Sequence, residues 1–444
     1  METNMSTLAV QNHWWREGKV KPELAKEYRR PAFYKTEELT STRQTIVLSG
    51  MRRVGKSTVM FQLIQSLIGR GIDPLDILYF SFDEGVSTVH ELLVDYGETT
   101  GRDFQSGHKY VFLDEVQKLR GWAEQMKLFY DSVPRIKFFA SGSAALPLER
   151  EAKTVLAGRA FYIEVEPLSF REFLEMKHGL KGTSEGVWKD TLPAYFSDYV
   201  KRPLPEMVDM QPGLLRRYVR ESLVDRILYR DIPEAHPVDT ELLRELLQLF
   251  YTEVNYTLNV DSLARDMGRS KRTILDAVQY MTDSYAVRVL RNHRPSRQSS
   301  SRKLKRVYPY HFCQVSNEDV EEPKLWECVA ASLLDAKTYW REGEKEVDFV
   351  VDGAPVEVKW KKSIPVADYG HLDYFLKKYG VRTGYMVSKS ESRVRKVDGR
   401  SILTVPLWRL GETGGLQELS GALAPAHGEA RRGQVEPKNR PRSA

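Results

Sequence analysis

One octet constrains this chain more than any other stretch. Gly50-Met51-Arg52-Arg53-Val54-Gly55-Lys56-Ser57 fits G-x-x-x-x-G-K-[ST] at every fixed position. In such a loop the backbone N–H groups wrap a phosphate, the lysine reaches the β and γ oxygens, and the hydroxyl meets a divalent cation. A fold that uses this loop runs a strand into it and a helix out of it. Thr45-Ile46-Val47-Leu48-Ser49 reads as the buried strand. Beyond the loop, Val59, Met60, Leu63, Ile64, Leu67 and Ile68 recur at helical spacing, so the loop opens a helix whose N-terminus favours anions. The expected ligand is a nucleoside triphosphate held by Gly50, Arg53, Val54, Gly55, Lys56, Ser57 and Thr58.

From about residue 40 to 170 strands and helices alternate. Further strands are read at residues 76–82, 109–114, 136–141 and 161–165, which argues for a parallel sheet covered on both faces. The 109–114 strand ends in Asp114-Glu115. A buried strand closing in two acids beside a phosphate loop lets Asp114 hold Mg²⁺ through its water, and lets Glu115 orient or deprotonate an attacking water. The next strand ends Ser141-Gly142-Ser143, where a hydroxyl either touches the γ-phosphate or closes a plain strand-end turn.

The 444 residues allow two to four domains. Hydrophobic residues at 41% and charged residues at 29% suit an ordinary packed core. With two cysteines and no C-x-x-C pair, a disulfide framework or zinc site is not expected. No apolar run reaches a membrane span and Met1-Glu2-Thr3-Asn4 lacks a signal pattern, so the expectation is a cytoplasmic protein with no membrane partner. The division read from the pattern is 1–170 nucleotide-binding, 171–249 helical lid, 250–310 winged helix-turn-helix, 311–410 mixed α/β, and 411–444 disordered tail. His13-Trp14-Trp15-Arg16 reads as a core anchor rather than a base-stacking pair.

Residues 261–268 read as a short helix ending at a glycine, and Ser270 caps a longer one that begins Lys271-Arg272. Together they describe a helix-turn-helix, with residues 286–290 as a wing. From Arg288 to Arg306 there are eight Lys/Arg residues and no acid, a stretch suited to phosphate contacts. DNA is the expected partner, with a purely protein-binding wing as the alternative.

Near the C-terminus two alternating runs flank Asp352-Gly353, a hairpin signal. Glu357 and Lys359 leave the same face of their strand, and Asp348 on the partner strand can join them. Two carboxylates suit Mg²⁺, and a lysine beside them can position a water for attack on phosphorus. Glu327, on a helix upstream, could supply a further acid. The rival to all this is a solvated salt-bridge ladder.

The motifs quoted so far are joined by Leu156-Ala157-Gly158-Arg159, Glu166-Pro167-Leu168-Ser169-Phe170-Arg171-Glu172-Phe173 and Tyr229-Arg230-Asp231-Ile232. As a set over roughly residues 10 to 390 they resemble the archaeal and bacterial AAA+-type P-loop ATPases that carry a winged helix and a C-terminal nuclease-like domain. The order Glu327, Asp348, Glu357-x-Lys359 resembles the PD-(D/E)XK, or restriction-endonuclease-like, fold, with Val347 where a proline is usual. The resemblance implies ATP and Mg²⁺ as cofactors, ATP hydrolysis, a possible homo-oligomer, and Arg159 as an arginine reaching the γ-phosphate in cis or from a neighbour. It implies metal ligands at Ser57, Asp114, Glu327, Asp348 and Glu357, and a nuclease site at Asp348, Glu357 and Lys359 that either cuts DNA or only binds it. Lys201-Arg202-Pro203-Leu204-Pro205-Glu206 departs from the family, which has two glycines before Leu-Pro-Glu. The rival functions are a signalling NTPase whose C-terminal domains recruit a protein, and a non-enzymatic regulator that binds one operator.

Overall fold

The alternation of the first third closes into one parallel sheet. The computed structural model describes residues 7–85, 88–143, 154–181, 185–188, 190–294, 305–413 and 416. Strands β1 (Thr45–Ser49), β2 (Ile77–Ser81), β3 (Lys109–Asp114), β4 (Ile136–Gly142) and β5 (Ala160–Glu164) pair in the order β2-β3-β4-β1-β5, every pair parallel. Ile46 and Leu48 pack with Met60, Leu63 and Ile64 of the Lys56–Gly69 helix. Val47 packs on the opposite face with Leu78, Leu113 and Ala140. Both faces of β1 to β4 are buried, which is why these strands read as apolar runs, whereas the edge strand β5 is only partly buried. Phe112 and Phe139 on adjacent strands stack at 4.3 Å and 5°, and burying each ring is worth roughly 1.5–3 kcal/mol. Trp14 is fully buried beside Phe61, and the indoles of Trp14 and Trp15 both donate to the Ile77 carbonyl, so the N-terminal aromatic pair anchors the core.

Among the described residues of 170–252 the regular elements are all helices. The Phe170–His178 helix begins in a capping box between Ser169 and Glu172. The Leu192–Lys201 and Pro212–Val219 helices follow, then two π-helical turns, Arg220–Val224 and Ile227–Asp231, and the Thr240–Thr252 helix. Next come the Val260–Asp266 and Lys271–Asp283 helices, joined through Gly268 and capped by Asn259 and Ser270.

A second sheet has the order β10-β9-β7-β8-β6, from β6 (Tyr256–Leu258), β7 (Val287–Asn292), β8 (Lys305–Pro309), β9 (Thr338–Glu342) and β10 (Lys345–Val347). It runs across residue 310. β7 pairs in parallel with β9, and the Asn292 side chain both donates to the Arg341 carbonyl and accepts from its N–H. The third sheet is β11-β12-β13-β15-β14, built from β11 (Phe349–Val351), β12 (Ala354–Lys359), β13 (Thr383–Ser388), β14 (Arg393–Val397) and β15 (Arg400–Pro406). Asp352 (φ 49°) and Gly353 (φ 82°) make the tight β11–β12 turn. The Glu322–Leu333 helix covers one face and the Gly370–Tyr379 helix the other.

Order continues past residue 411, where the sequence had suggested a disordered tail. The Leu407–Thr413 helix buries Leu407, Trp408, Leu410 and Gly411 against the Phe170–His178 and Leu192–Lys201 helices. That hydrophobic contact outweighs the Gly-rich composition; residues 417–444 lie outside the described residues. Among the described residues no helix is long and apolar enough to cross a membrane.

Candidate functional site

At the C-terminal ends of β1 and β3 the phosphate loop meets the acidic pair. Gly50 (φ 148°) is obligatory, because a Cβ there would lie 2.1 Å from the Val165 carbonyl oxygen. Lys56 is buried and donates to the carbonyls of Gly50 (2.8 Å) and Met51 (2.9 Å). Burial pushes its ammonium below the ordinary value, while Glu115 and Asp114 work in the opposite sense. Ser57 Oγ donates to Asp114 at 2.6 Å. Asp114 also takes the Tyr79 hydroxyl (2.8 Å), the Ser141 hydroxyl and the Glu115 N–H (3.0 Å). Glu115 sits at φ 55°, in the left-handed region, and its carboxylate accepts from Gln117 and from Ser143 Oγ (3.1 Å). A non-glycine residue held there stores strain of the kind that collects at functional sites. The structure therefore brings Lys56, Ser57, Asp114, Glu115 and Ser141 together. Burial, desolvating the hydroxyl beside Asp114, drives the Tyr79 phenol well above its ordinary range.

Ion pairs tie the loop to the helices around it. Arg52 makes a two-pronged pair with Asp231 (2.5 and 2.6 Å), both side chains about one-sixth exposed. Arg53 (φ 66°) pairs with Glu206 on the surface. Beneath, Arg30 grips Glu172 (2.6 Å) and the Val54 carbonyl (2.5 Å). Pro205 and Glu206 of the departing Lys201–Glu206 segment lie against the loop, next to Gly55 and Arg53 respectively. Sequence reasoning missed Tyr79, Arg30 and the Arg52–Asp231 pair. Asp231 had a signal in its motif, whereas Arg30 and Tyr79 had none.

Arg159 lies elsewhere. Its carbonyl accepts from Thr45 N–H, at the start of β1, whereas the loop leaves the end of that strand. Five residues at about 3.3 Å each separate the two ends. Its guanidinium pairs with Asp131 (2.9 Å). Its place at the start of β1 sets it away from the phosphate loop of its own chain, in an exposed ion pair of the kind any surface arginine makes.

The second candidate site is on the β11–β12 hairpin. Asp348 accepts from the Val358 N–H (2.8 Å), and Glu357 pairs with Lys359 at 2.7 Å. Burial and the neighbouring Glu357 drive the Asp348 carboxyl well above its ordinary value. Burial also raises Glu357, against the pull of Lys359. Burial alone would lower Lys359, but Glu357 and Asp348 outweigh it and raise the ammonium. One Glu357 oxygen is buried with no hydrogen-bond partner. Glu327 does not complete a three-acid set: both its oxygens accept from Asn255 and one also from Tyr308 (2.7 Å). Among the described residues no group of three or more His, Cys, Asp or Glu converges to hold a metal. Glu327 nonetheless lies near enough to push the Asp348 carboxyl further up, behind burial and Glu357.

The basic stretch is less available than its composition suggested. Arg288 donates to the Tyr310 and Ala331 carbonyls, and buried Arg306 pairs with Glu346. Both are spent on structure rather than phosphates. Arg291 is exposed and Arg294 half-buried; Arg297, Arg302 and Lys303 lie outside the described residues.

A family model described as an AAA domain matches residues 42–174, and two described as domains of unknown function match 204–313 and 328–408. An uncharacterized protein of Methanocaldococcus jannaschii is 26% identical over 256 residues, 55% of this chain and 56% of its own. A second from that organism is 29% identical over 263 residues, 54% of this chain and 55% of its own. The chain spans about half the length of the curated relatives it matches. An Aeropyrum pernix ORC1 protein, solved in complex with DNA, aligns over 67% of this chain and 91% of its own at 11% identity, with a TM-score of 0.34 that carries no argument. Residues 42–174 are an AAA-type P-loop ATPase domain, a class that binds nucleotide with a divalent metal.

Proposed function

We propose that this chain is an ATP- and Mg²⁺-dependent ATPase that acts on DNA, its C-terminal α/β unit binding or cutting the nucleic acid. The observation that carries the ATPase half is the Ser57–Asp114 contact at 2.6 Å beside buried Lys56. A hydroxyl and a carboxylate at that spacing fit a hard cation, which when bound neutralises phosphate charge. In this reading Lys56 binds the phosphates, Ser57 and Asp114 hold Mg²⁺, and Glu115 orients the attacking water. Ser143 and Gln117 fix the Glu115 carboxylate on its strained backbone. Arg159 serves a neighbouring subunit, which makes the active form an oligomer; Arg159→Ala subunits mixed with Lys56→Ala subunits should then recover part of the lost turnover.

The nuclease half is supported by the buried carboxylates of Asp348 and Glu357, set beside Lys359 at the β11–β12 hairpin. Residues 256–309 are read as a winged helix contacting the backbone through Arg291 and Arg294. The test is ATP turnover with and without linear and branched DNA, and cleavage of each with Mg²⁺ or Mn²⁺. DNA-stimulated turnover, and cleavage lost in Asp348→Ala, are the expected results.

One observation favours a second reading, a nucleotide switch that recruits a protein. The basic residues of the helix-turn-helix are neutralised in place, Lys271 by Asp261, Arg272 by Asp276 and Arg269 by Asp239. Turnover indifferent to every DNA form would select it.

A further inference from the structure

A ladder of aromatic rings runs from the Leu192–Lys201 helix across the C-terminal unit to the surface beside the acidic hairpin. Phe196 and Trp326 stack at 6.2 Å and 22°, and Trp326 and Trp360 at 4.2 Å and 17°. Phe196 is buried, both tryptophans are half-buried, and the outer face of the series ends at Lys389, whose Nζ lies 5.0 Å from the Trp360 ring. The series closes with a lysine whose side chain is 39% exposed.

The outer ring is held in place. Trp360 Nε1 donates to Glu322 (2.8 Å), and the same carboxylate takes Lys389 at 3.2 Å. Trp360 directly follows Lys359 at the end of β12, and the register Lys359↔Ser388 sets Lys389 beside it. The Lys389 N–H donates to the Lys361 carbonyl, and Lys361 and Lys362 are both exposed. A flat, oriented indole face covered by Lys389, with a carboxylate pair one strand-end away, is suited to single-stranded nucleic acid; neighbouring Lys361 is paired with Asp368.

We propose that Trp360 is a stacking platform for an unpaired nucleobase, so that the substrate of the C-terminal unit is single-stranded nucleic acid or a duplex with an unpaired stretch. A base continues the Trp326–Trp360 stack and Lys389 moves from the ring to the adjoining phosphate. Stacking on an indole outweighs an exposed cation over the same ring, so the exchange is favourable. A continuous duplex offers no free base face and is selected against. The inference rests on the nucleic-acid reading of the Asp348–Glu357–Lys359 site.

The experiment uses the full chain with Ca²⁺ in place of Mg²⁺, to measure binding without cleavage. The probes are a single strand containing 2-aminopurine, the same sequence as blunt duplex, and the duplex with a short gap. Wild type should quench 2-aminopurine in the single strand and the gap. Trp360→Leu should lose the quench and weaken single-strand binding about tenfold or more, with duplex binding unmoved. Trp360→Phe should recover most of it. ATP turnover reports whether each variant is folded, and the wild-type quench needs no variant at all. Absence of that quench from bound single strand, or equal single-strand affinity in wild type and folded Trp360→Leu, overturns the platform. Failure of wild type to bind any of the three probes overturns the nucleic-acid reading and the platform with it. Asp348→Asn should abolish cutting while leaving the quench intact, separating the two.

Discussion

Replacing Asp231 with Asn should loosen the phosphate loop more than any exposed ion-pair substitution. Arg52 reaches Asp231 through two charge-assisted hydrogen bonds of 2.5 and 2.6 Å, and the two side chains are only 14% and 16% exposed. Loss of one partner of a fully buried pair costs about 3–5 kcal/mol because the other charge is stranded, whereas exposed pairs are worth about 0–1. Partial solvent access places this pair between, at roughly 2–3 kcal/mol for Asp231→Asn. Arg52→Met should cost a similar amount and the double variant much less than the sum. The expected coupling is about 1.5–2 kcal/mol, well above the roughly 0.5 seen for independent sites. The assay is a double-mutant cycle on ATP-free protein, read by urea unfolding and by amide exchange of residues 50–57. Arg53→Met, which breaks the exposed pair with Glu206, is the internal control and should move stability by under about 1 kcal/mol. Additive effects of Arg52→Met and Asp231→Asn would refute the reasoning, because they would mean the pair contributes no more than two solvated charges.

Lys56→Ala should abolish nucleotide binding, and Glu115→Gln should keep binding while stopping hydrolysis, since one group meets ground-state phosphate and the other the attacking water; equal turnover in wild type and Glu115→Gln removes Glu115 from its role. Arg291→Glu with Arg294→Glu should weaken DNA binding and flatten its salt dependence with little change in melting temperature, whereas Arg306→Glu should unfold the protein by roughly 3 kcal/mol or more through its buried pair with Glu346. Asp348 and Glu357 have carboxyl values raised above those of an unfolded chain. Their contribution to the stability of metal-free protein is fully present below the ordinary carboxyl range and is lost as pH rises through the raised values. Asp348→Asn should flatten that slope and leave metal-free protein more stable than wild type at pH 8; thermal melts from pH 5 to 8 that show the same slope in both proteins would sink this account.

The first sheet was legible because β1 to β4 are largely buried apolar runs and two of them end in a residue whose chemistry marks the end, Ser49 before the loop and Asp114 before Glu115. The hairpin was legible because Asp352-Gly353 suits two successive left-handed residues. What sequence could not supply was partnership. Arg288 and Arg306 look like phosphate contacts when counted along the chain, but their acceptors, the Tyr310 carbonyl and Glu346, come from segments that only the second sheet brings near. Glu327 likewise reads as a spare acid until Asn255, 72 residues away, is seen to claim it. Arg159 follows a glycine in the manner of a catalytic arginine, yet nothing in its neighbours tells which end of β1 it faces. The helix at residues 407–413 was hidden by composition, since only the apolar groove between two distant helices makes its formation favourable.

These pairings also fix where the molecule can move. The Val260–Asp266 and Lys271–Asp283 helices and the C-terminal unit are not free to hinge at residue 310, because β7 and β9 are hydrogen-bonded across it. The C-terminal unit in turn shares one buried core with the Phe170–His178 and Leu192–Lys201 helices, in which Phe170, Phe196 and Tyr199 pack with Phe312, Val329 and Leu410. Separating those surfaces exposes many fully buried side chains at roughly 1.5–3 kcal/mol each, far more than a nucleotide's differential affinity of a few kcal/mol can supply. The Arg52–Asp231 pair, at roughly 2–3 kcal/mol, lies within that range and joins the phosphate loop to a π-helical turn, a local geometry that recurs at functional sites. A change at the γ-phosphate that redirects Arg52 therefore releases the Ile227–Asp231 turn while Arg30, gripping Val54 and Glu172 from below, keeps the loop seated. On these energies the Arg52–Asp231 junction, and not the buried seam with the C-terminal unit, is where a nucleotide's differential affinity can act.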